Sequence, residues 1–201
     1  VNSLYLDSSS HELYQTTIQG MKNRFKLRIR GYDSNPESPL FAEVKRRSDR
    51  VIMKKRAMVN RPIAEAFLRG EPLPESNLAQ NPEFVEFRNL NARLAATPAV
   101  YVSYMREAYE VNGPEPVRMT FDTGLENAAV DLQTPFAFED RNWHVTPCDK
   151  VILELKFTDA CPHWIEVLVE TFQLARCSVA KYIMCLEDSL ERKHQSPSFF
   201  R

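Results

Sequence analysis

Residues 25–30 read FKLRIR, so apolar and positively charged side chains alternate through this segment. In a β-strand, successive side chains point to opposite faces, which would place Lys26, Arg28 and Arg30 on one face of a sheet. Arginine and lysine bind phosphate oxygens through charge-assisted hydrogen bonds. The segment therefore predicts a strand with one face suited to a phosphate-containing ligand.

Other segments with the same alternation carry further cations on their polar faces. These are Lys45 in residues 40–46, Lys54 and Arg56 in 50–56, Arg106 in 99–109, Arg118 in 116–122 and Lys156 in 151–157. Like charges on neighbouring strands repel, so such a face is tolerated when a polyanion, often with a metal ion, balances the charge. The pattern leaves one alternative open, the solvent-exposed face of an ordinary one-sided antiparallel sheet.

The charges are distributed unevenly along the chain. Half of the 26 lysines and arginines lie between Lys22 and Arg61, although the whole chain has a net charge of −1. This local excess predicts a confined anion site and argues against a broad nucleic-acid-binding surface. The glycine-rich motifs GxxxxGK[ST] and GxGxxG are absent from the sequence, so side chains rather than a backbone cradle would hold phosphates.

The spacing of the cysteines and histidines does not indicate a metal site or a disulfide framework. The four cysteines lack CxxC spacing and the four histidines are scattered, which argues against a zinc site and a disulfide framework. No apolar run approaches the roughly 20 residues of a membrane-spanning helix, and the N-terminus lacks a signal-peptide pattern. We expect a cytoplasmic location, or the cytosolic face of a membrane if the chain belongs to a larger membrane-attached protein.

The elements that position these residues are predicted to form one α+β domain over residues 1–195, with a loose tail at 196–201. Alternation predicts strands at residues 2–6, 24–32, 40–46, 50–56, 99–109, 116–122 and 151–157. Residues 61–97 predict short helices that are broken by proline and face solvent, and residues 123–149 predict an irregular connection. Helical spacing of apolar residues predicts two C-terminal helices, around 164–174 and 179–186.

Seven blocks of the sequence resemble successive motifs of the VTC domain, the polyphosphate polymerase branch of the CYTH-like triphosphate tunnel metalloenzymes. They are SLYLD at 3–7, FKLRIRGY at 25–32, FAEVK at 41–45, YMREAY at 104–109, VRMTFDT at 117–123, LELKF at 153–157 and AKY at 180–182. The resemblance implies a closed antiparallel β-barrel, the triphosphate tunnel, with flanking helices and two C-terminal helices. It also implies a Mn²⁺ or Mg²⁺ cofactor, ATP as phosphoryl donor and a polyphosphate chain as acceptor.

The resemblance further implies the roles of individual residues. Arg28, Arg30 and Lys181 would be catalytic, with Lys181 reaching the reacting phosphate from the last helix, and Glu154 would hold the metal ion. Phosphates would be bound by Lys45, Lys54, Arg106, Arg118 and Lys156. The alternation of apolar and charged residues predicts Lys26 and Arg56 as further phosphate-binding residues.

Two departures from the family pattern accompany the resemblance. The chain starts at the SLYLD strand and lacks the preceding family strand, whose acidic and basic residues contribute to the tunnel and its metal. Ala180 stands where the family often has serine, which would remove one hydrogen bond to phosphate. Besides polymerisation, the same residues are compatible with a triphosphatase or polyphosphate hydrolase, or with a catalytically silent polyphosphate-binding module. In each case we expect ATP, triphosphate or polyphosphate as partner, and no nucleic acid.

Overall fold

The computed structural model describes residues 1–33, 35–49, 51–73, 77–111, 113, 116–131, 133–134, 136–158 and 160–195, so the predicted tail lies outside the described residues. Within these ranges the chain forms one antiparallel sheet and five α-helices. The strands are β1 (Asn2–Asp7), β2 (Asn23–Gly31), β3 (Leu40–Ser48), β4 (Val51–Val59), β5 (Thr97–Val111), β6 (Val117–Ala129), β7 (His144–Val145) and β8 (Ile152–Phe157). The helices are α1 (Glu12–Ile18), α2 (Arg61–Arg69), α3 (Pro82–Leu94), α4 (His163–Thr171) and α5 (Lys181–Gln195). The seven predicted strands and the two C-terminal helices are confirmed.

The sheet is open, so the closed barrel expected from the resemblance is wrong. Its strand order is β4-β3-β2-β1-β5-β6-β7, and β8 pairs with residues 117–122 of β6 beside β7. A closed barrel requires hydrogen bonds between its first and last strands. In the described part of the chain, however, β4 pairs only with β3 and β8 pairs only with β6. The sheet therefore has two edges, one at β4 and the other at β7 and β8.

One face of the sheet packs against α2 and α3 and contains the larger hydrophobic core. Leu27 and Ile29 of β2 are buried in this core together with Phe84 and Phe87 of α3. The cations of β2 lie on the opposite face of the strand. The predicted division between an apolar and a charged face is therefore confirmed for β2. We call this core side the helix-covered face.

Two of the prolines in residues 61–97 lie at the starts of helices and do not break them. Pro62 and Pro82 stand in the first turns of α2 and α3, where a missing backbone N–H costs no helical hydrogen bond. The side chains of Asn60 and Asn81 cap the two helices by accepting a backbone hydrogen bond at 3.0 Å each. Because both helices bury apolar residues against the sheet, the expectation that they would simply face solvent is wrong.

A second, smaller core lies on the opposite face, where α5 packs across β5 and β6. Tyr182 of α5 is buried and stacks on Tyr5 of β1, with ring centroids 4.8 Å apart. Its hydroxyl donates a hydrogen bond of 2.5 Å to the buried carboxylate of Asp7. The same carboxylate accepts the backbone N–H groups of Leu13 and Tyr14 at 2.9 Å each, and thereby caps α1. The first strand thus anchors both the first and the last helix.

The connection predicted at residues 123–149 is partly regular. Strand β6 continues to Ala129, and β7 pairs with it at residues 144 and 145. Helix α4 buries only Ile165 among its apolar residues, and the exposed fraction of Trp164 is 41%. Among the described helices, none is both long and apolar enough to cross a bilayer.

Candidate functional site

The face of the sheet opposite to α2 and α3 gathers the cations that the sequence singled out. We call it the basic face. It carries Lys26, Arg28 and Arg30 on β2, Lys45 on β3, Lys54 and Arg56 on β4, Arg106 on β5, Arg118 on β6 and Lys156 on β8. The strand register arranges these residues in rows across the sheet. One row consists of Lys26, Lys45 and Lys54, and the next consists of Arg28, Glu43 and Arg56.

Glu43 is the centre of a buried ion cluster. Its side chain has no solvent-exposed surface, and its Oε2 lies 2.7 Å from Nη2 of Arg28 and 3.8 Å from Nε of Arg30. On the other side, Lys54 Nζ lies 2.6 Å from Glu43 Oε1. Burial opposes ionisation of this carboxyl group, but the three cations outweigh it and hold the pKa of Glu43 below its usual value. Glu43 is therefore an anion that fixes three cations in place.

The two arginines of this cluster are also held by hydroxyl groups. Arg28 Nη1 donates a hydrogen bond of 2.9 Å to the hydroxyl of Tyr5. Arg30 is almost fully buried, and it donates bonds of 3.3 Å to Ser3 Oγ and to the hydroxyl of Tyr104. Because these partners lie on β1 and β5 of the same sheet, the guanidinium groups are positioned by the sheet itself.

Asp122 is the centre of a second ion cluster, which brings Lys181 to the sheet. The buried carboxylate of Asp122 accepts two hydrogen bonds from Arg106, at 2.6 and 2.7 Å. Lys181, the first residue of α5, places its Nζ 2.7 Å from the same carboxylate and 4.8 Å from the ring centre of Tyr104. Burial opposes ionisation of Asp122, but Arg106 and Lys181 outweigh it and lower its pKa. The docking of α5 therefore delivers one lysine to the basic face.

Lys26 and Lys45 form the row next to that of Arg28 and Glu43, and in the described residues neither lysine forms an ion pair with a carboxylate. Burial lowers the pKa of Lys26 to about 8, and its Nζ lies 5.7 Å from the ring centre of Tyr182. The pKa of Lys45 is also lowered, first by burial and then by Arg28, whereas Glu154 acts in the opposite direction. Glu154 lies on β8, which four strands separate from β3 in the sheet order.

The remaining predicted cations lie nearer to solvent. Arg56 stacks on the ring of Phe41, with its Cζ 4.9 Å from the ring centre. Arg118 is about half exposed and forms an ion pair of 2.9 Å with Glu110. Lys156 lies beside it on β8, 3.3 Å from Glu154. The structure thus concentrates Arg28, Arg30, Lys54, Arg106 and Lys181 around two acids, and it places Arg56, Arg118 and Lys156 at the margins.

Glu154 is the carboxylate that could contribute to a metal site. It is half-buried, its Oε2 lies 3.6 Å from Arg106 Nη2, and burial is outweighed by Lys156 and Arg106, which lower its pKa. In the ranges that the structure covers, no three His, Cys, Asp or Glu side chains converge as a metal site would require. Magnesium, however, is commonly bound by one or two carboxylates together with substrate phosphates. Glu154 therefore fits a metal ion that arrives with phosphates, and it does not fit a preformed protein cage.

Sequence reasoning missed the two acids that organise the site. Glu43 shares a face with Lys45, and Asp122 lies on the same face of β6 as Arg118, so the alternation did contain a signal. In each strand the signal is a single acid on the same face as a cation. The roles of Tyr5 and Tyr104 as hydrogen-bond acceptors for the arginines had no separate signal in the sequence.

Comparison with known proteins adds a family match to this geometry. The family model described as the VTC domain matches residues 1–189, which is nearly the whole chain. No curated protein matches the sequence.

Proposed function

The chain belongs to the VTC domain family, and from this membership we propose that it is a metal-dependent polyphosphate polymerase. It would transfer the terminal phosphoryl group of ATP to a growing polyphosphate chain held on the basic face. Family membership is consistent with a polyphosphate-related function, and the polymerase activity is our proposal.

The observation that best supports this proposal is the excess of cations on the basic face. Glu43 and Asp122 neutralise part of the charge, but Lys26 and Lys45 face each other in register without an acid between them. Like charges in this arrangement destabilise a sheet unless an anion lies between them. A chain of phosphates carries negative charges at regular intervals. These charges would neutralise the successive rows of cations on the basic face.

The same geometry suits phosphoryl transfer. This reaction depends on positioning and on neutralising the charge of the transferred group, and it needs little covalent chemistry from the protein. Arg28 and Arg30 are rigidly held and would orient phosphates, while Lys181 would contact the reacting phosphate from the start of α5. Glu154 would hold the Mn²⁺ or Mg²⁺ ion, which neutralises phosphate charge when bound.

The open sheet favours a second candidate function, hydrolysis of triphosphate or polyphosphate. A closed barrel would shield the reacting phosphate, whereas the basic face of this sheet ends at the edge strand β4, where Lys54 and Arg56 are exposed to solvent. Water would then replace the polyphosphate acceptor while the same cations hold the substrate.

Incubation of the purified protein with ATP and Mn²⁺ or Mg²⁺, followed by gel separation of the products, tests the proposal. Long polyphosphate chains are the result that we expect. Orthophosphate alone would favour the hydrolase, and the absence of turnover with either metal would leave a polyphosphate-binding module. The variant Arg88→Gln removes an exposed charge on α3, at the helix-covered face, and serves as a control that should keep full activity.

We expect Glu154→Gln to raise the Mn²⁺ concentration needed for turnover of ATP by about tenfold or more, because a neutral amide is a poor metal ligand. The stabilisation given by tripolyphosphate without metal should be unchanged. Titration of Mn²⁺ in the turnover assay measures the first effect, and thermal unfolding measures the second. Glu110→Gln, at an exposed carboxylate paired with Arg118, is the matched control. An unchanged Mn²⁺ requirement in Glu154→Gln would contradict this role.

We expect the affinity for tripolyphosphate to fall as the pH rises through 8, because free Lys26 loses its proton with a pKa of about 8. Bound phosphates would stabilise the ammonium group and raise this pKa, so binding near pH 8.5 should take up a proton. Calorimetry in two buffers of different ionisation enthalpy measures that uptake. Lys26→Arg keeps the charge at these pH values and should bind without it. Equal proton uptake by both proteins would contradict the prediction.

Without ligand, the lowered pKa of Lys26 affects the stability of the folded protein. This effect changes with pH in the opposite direction to the ligand affinity. The unfolded chain holds the Lys26 proton up to an ordinary pKa of 10.5, whereas the folded protein releases it near 8. Between these values the unfolded state binds more protons, so this group makes the free energy of unfolding rise with pH. Ligand affinity and intrinsic stability should therefore change in opposite directions above pH 8.

A further inference from the structure

Two further arginines extend the basic face toward the end of β3. Arg24 on β2 lies directly opposite Arg47 on β3, two positions beyond the pair Lys26 and Lys45. Since strand residues two positions apart share a face, both guanidinium groups belong to the basic face. They form its last row, next to the turn that joins β3 to β4.

This last row carries positive charge without a neutralising acid. Arg24 Nη1 donates to the backbone carbonyl of Met21 at 2.5 Å, and Arg47 Nε donates to that of Asp49 at 2.7 Å. Across the described ranges, neither guanidinium forms an ion pair with a carboxylate. Burial and then the charge of Arg47 lower the pKa of Arg24. By contrast, Arg46 on the helix-covered face pairs with Glu86 at 3.2 Å.

The rows of β2 form a continuous track. Arg30, Arg28, Lys26 and Arg24 follow one another at every second residue, so the track is about 20 Å long at about 3.4 Å per residue. Three linked phosphates cover less than half of that length. A triphosphate held by Arg28 and Arg30 would therefore not reach Arg24, whereas a longer chain would.

We propose that Arg24 and Arg47 form a distal subsite that binds the phosphates of a long polyphosphate chain beyond the reacting end. The inference rests on the proposed function, and it adds a preference for long chains over triphosphate. Continuity with the other rows argues for the same polyanion along the whole track. The exposed apolar residues Val51 and Ile52 beside this row make an anionic membrane surface the competing partner.

The test compares binding of long-chain polyphosphate and of tripolyphosphate by the wild type and by Arg24→Gln/Arg47→Gln. We expect the double variant to bind long chains about tenfold more weakly, and tripolyphosphate within about twofold of the wild type. The slope of log affinity against log salt for long chains should decrease by about 1.4, at about 0.7 per lost phosphate contact. The control is Arg69→Gln/Arg88→Gln, which removes the same charge from α2 and α3.

The possible outcomes distinguish failure of the distal subsite from failure of the proposed function. If the wild type binds neither ligand, the proposed function fails and the subsite fails with it. If the double variant loses affinity for both ligands equally, or for neither, the subsite is overturned while the proposed function stands. Loss of binding to phosphatidylserine vesicles with unchanged binding of long chains would assign the row to a membrane and would also overturn the proposal.

Discussion

Replacement of Lys181 with alanine is expected to reduce metal-dependent turnover of ATP by about 10²- to 10³-fold, the range found when one charge-stabilising donor is removed from an active site. Lys181 lies on α5 rather than on a strand, so the sheet forms without it. Asp122 also keeps its two hydrogen bonds from Arg106, so it does not become an unpaired buried charge. The substitution should therefore remove most of the turnover of ATP and leave most of the affinity for tripolyphosphate intact.

Thermal unfolding with and without tripolyphosphate distinguishes these effects. At 100 times its dissociation constant, a ligand of the native state contributes about 2.7 kcal/mol, which corresponds to a melting shift of roughly 5 to 10 °C here. Lys181→Ala should keep most of this shift, and orthophosphate should give far less in both proteins. Lys193→Ala, in the last turn of α5, is the control. Normal turnover by Lys181→Ala would show that the lysine only pairs with Asp122.

Replacement of Glu43 with glutamine is expected to lower the free energy of unfolding by about 3 to 5 kcal/mol, because it leaves buried cations without their counter-ion. The amide has nearly the same size, so the loss comes from charge rather than from a cavity. Since the pKa of Glu43 is lowered, the wild-type carboxylate is ionised at neutral pH and its contribution disappears only in acid. Tripolyphosphate should stabilise the variant more than it stabilises the wild type, because phosphates would replace the missing negative charge.

Chemical denaturation of both proteins, with and without tripolyphosphate, measures these two effects. The matched control is Glu86→Gln, whose carboxylate pairs with Arg46 and Lys55 outside the basic face. The side chains of Arg46 and Lys55 are about half exposed, so we expect a loss of less than about 1 kcal/mol and no additional stabilisation by phosphate. If the two variants unfold alike, Glu43 does not organise the cations as we infer.

Local alternation in the sequence was sufficient to predict seven of the eight described strands and which side chains share a face in β2. In β2, for example, the order of residues alone places Arg28 and Leu27 on opposite sides. Closure of the barrel could not be predicted in this way, because it depends on hydrogen bonds between edge strands that are far apart in the chain. The family resemblance supplied that expectation, and it is contradicted because β4 pairs only with β3 in the described part of the chain.

The sequence pattern placed the cations on one face of their strands, but it did not identify Glu43 and Asp122 as their counter-ions. The convergence of Arg28 and Lys54 on Glu43 depends on the register of three strands, which alternation within one strand does not contain. The continuation of β6 was missed because a register shift in β5 and Gly124, with a φ of +59°, interrupt the alternation. Helix α1 was missed because its seven residues are too few to show a clear period and its cap, Asp7, belongs to the preceding strand.

The residues that contact β1 are synthesised at different times during translation. This strand lies between β2 and β5, and Asp7 bonds to Tyr182, which follows 175 residues later. At 5 to 20 residues per second, the ribosome delivers Tyr182 roughly 10 to 35 s after Asp7. During that interval β1 to β4 can already pair, with α2 and α3 on one side, while the surface that α5 will cover stays exposed. The cation-rich strands β2 to β4 are thus synthesised first, and Lys181 can reach Asp122 only after the start of α5 has been synthesised.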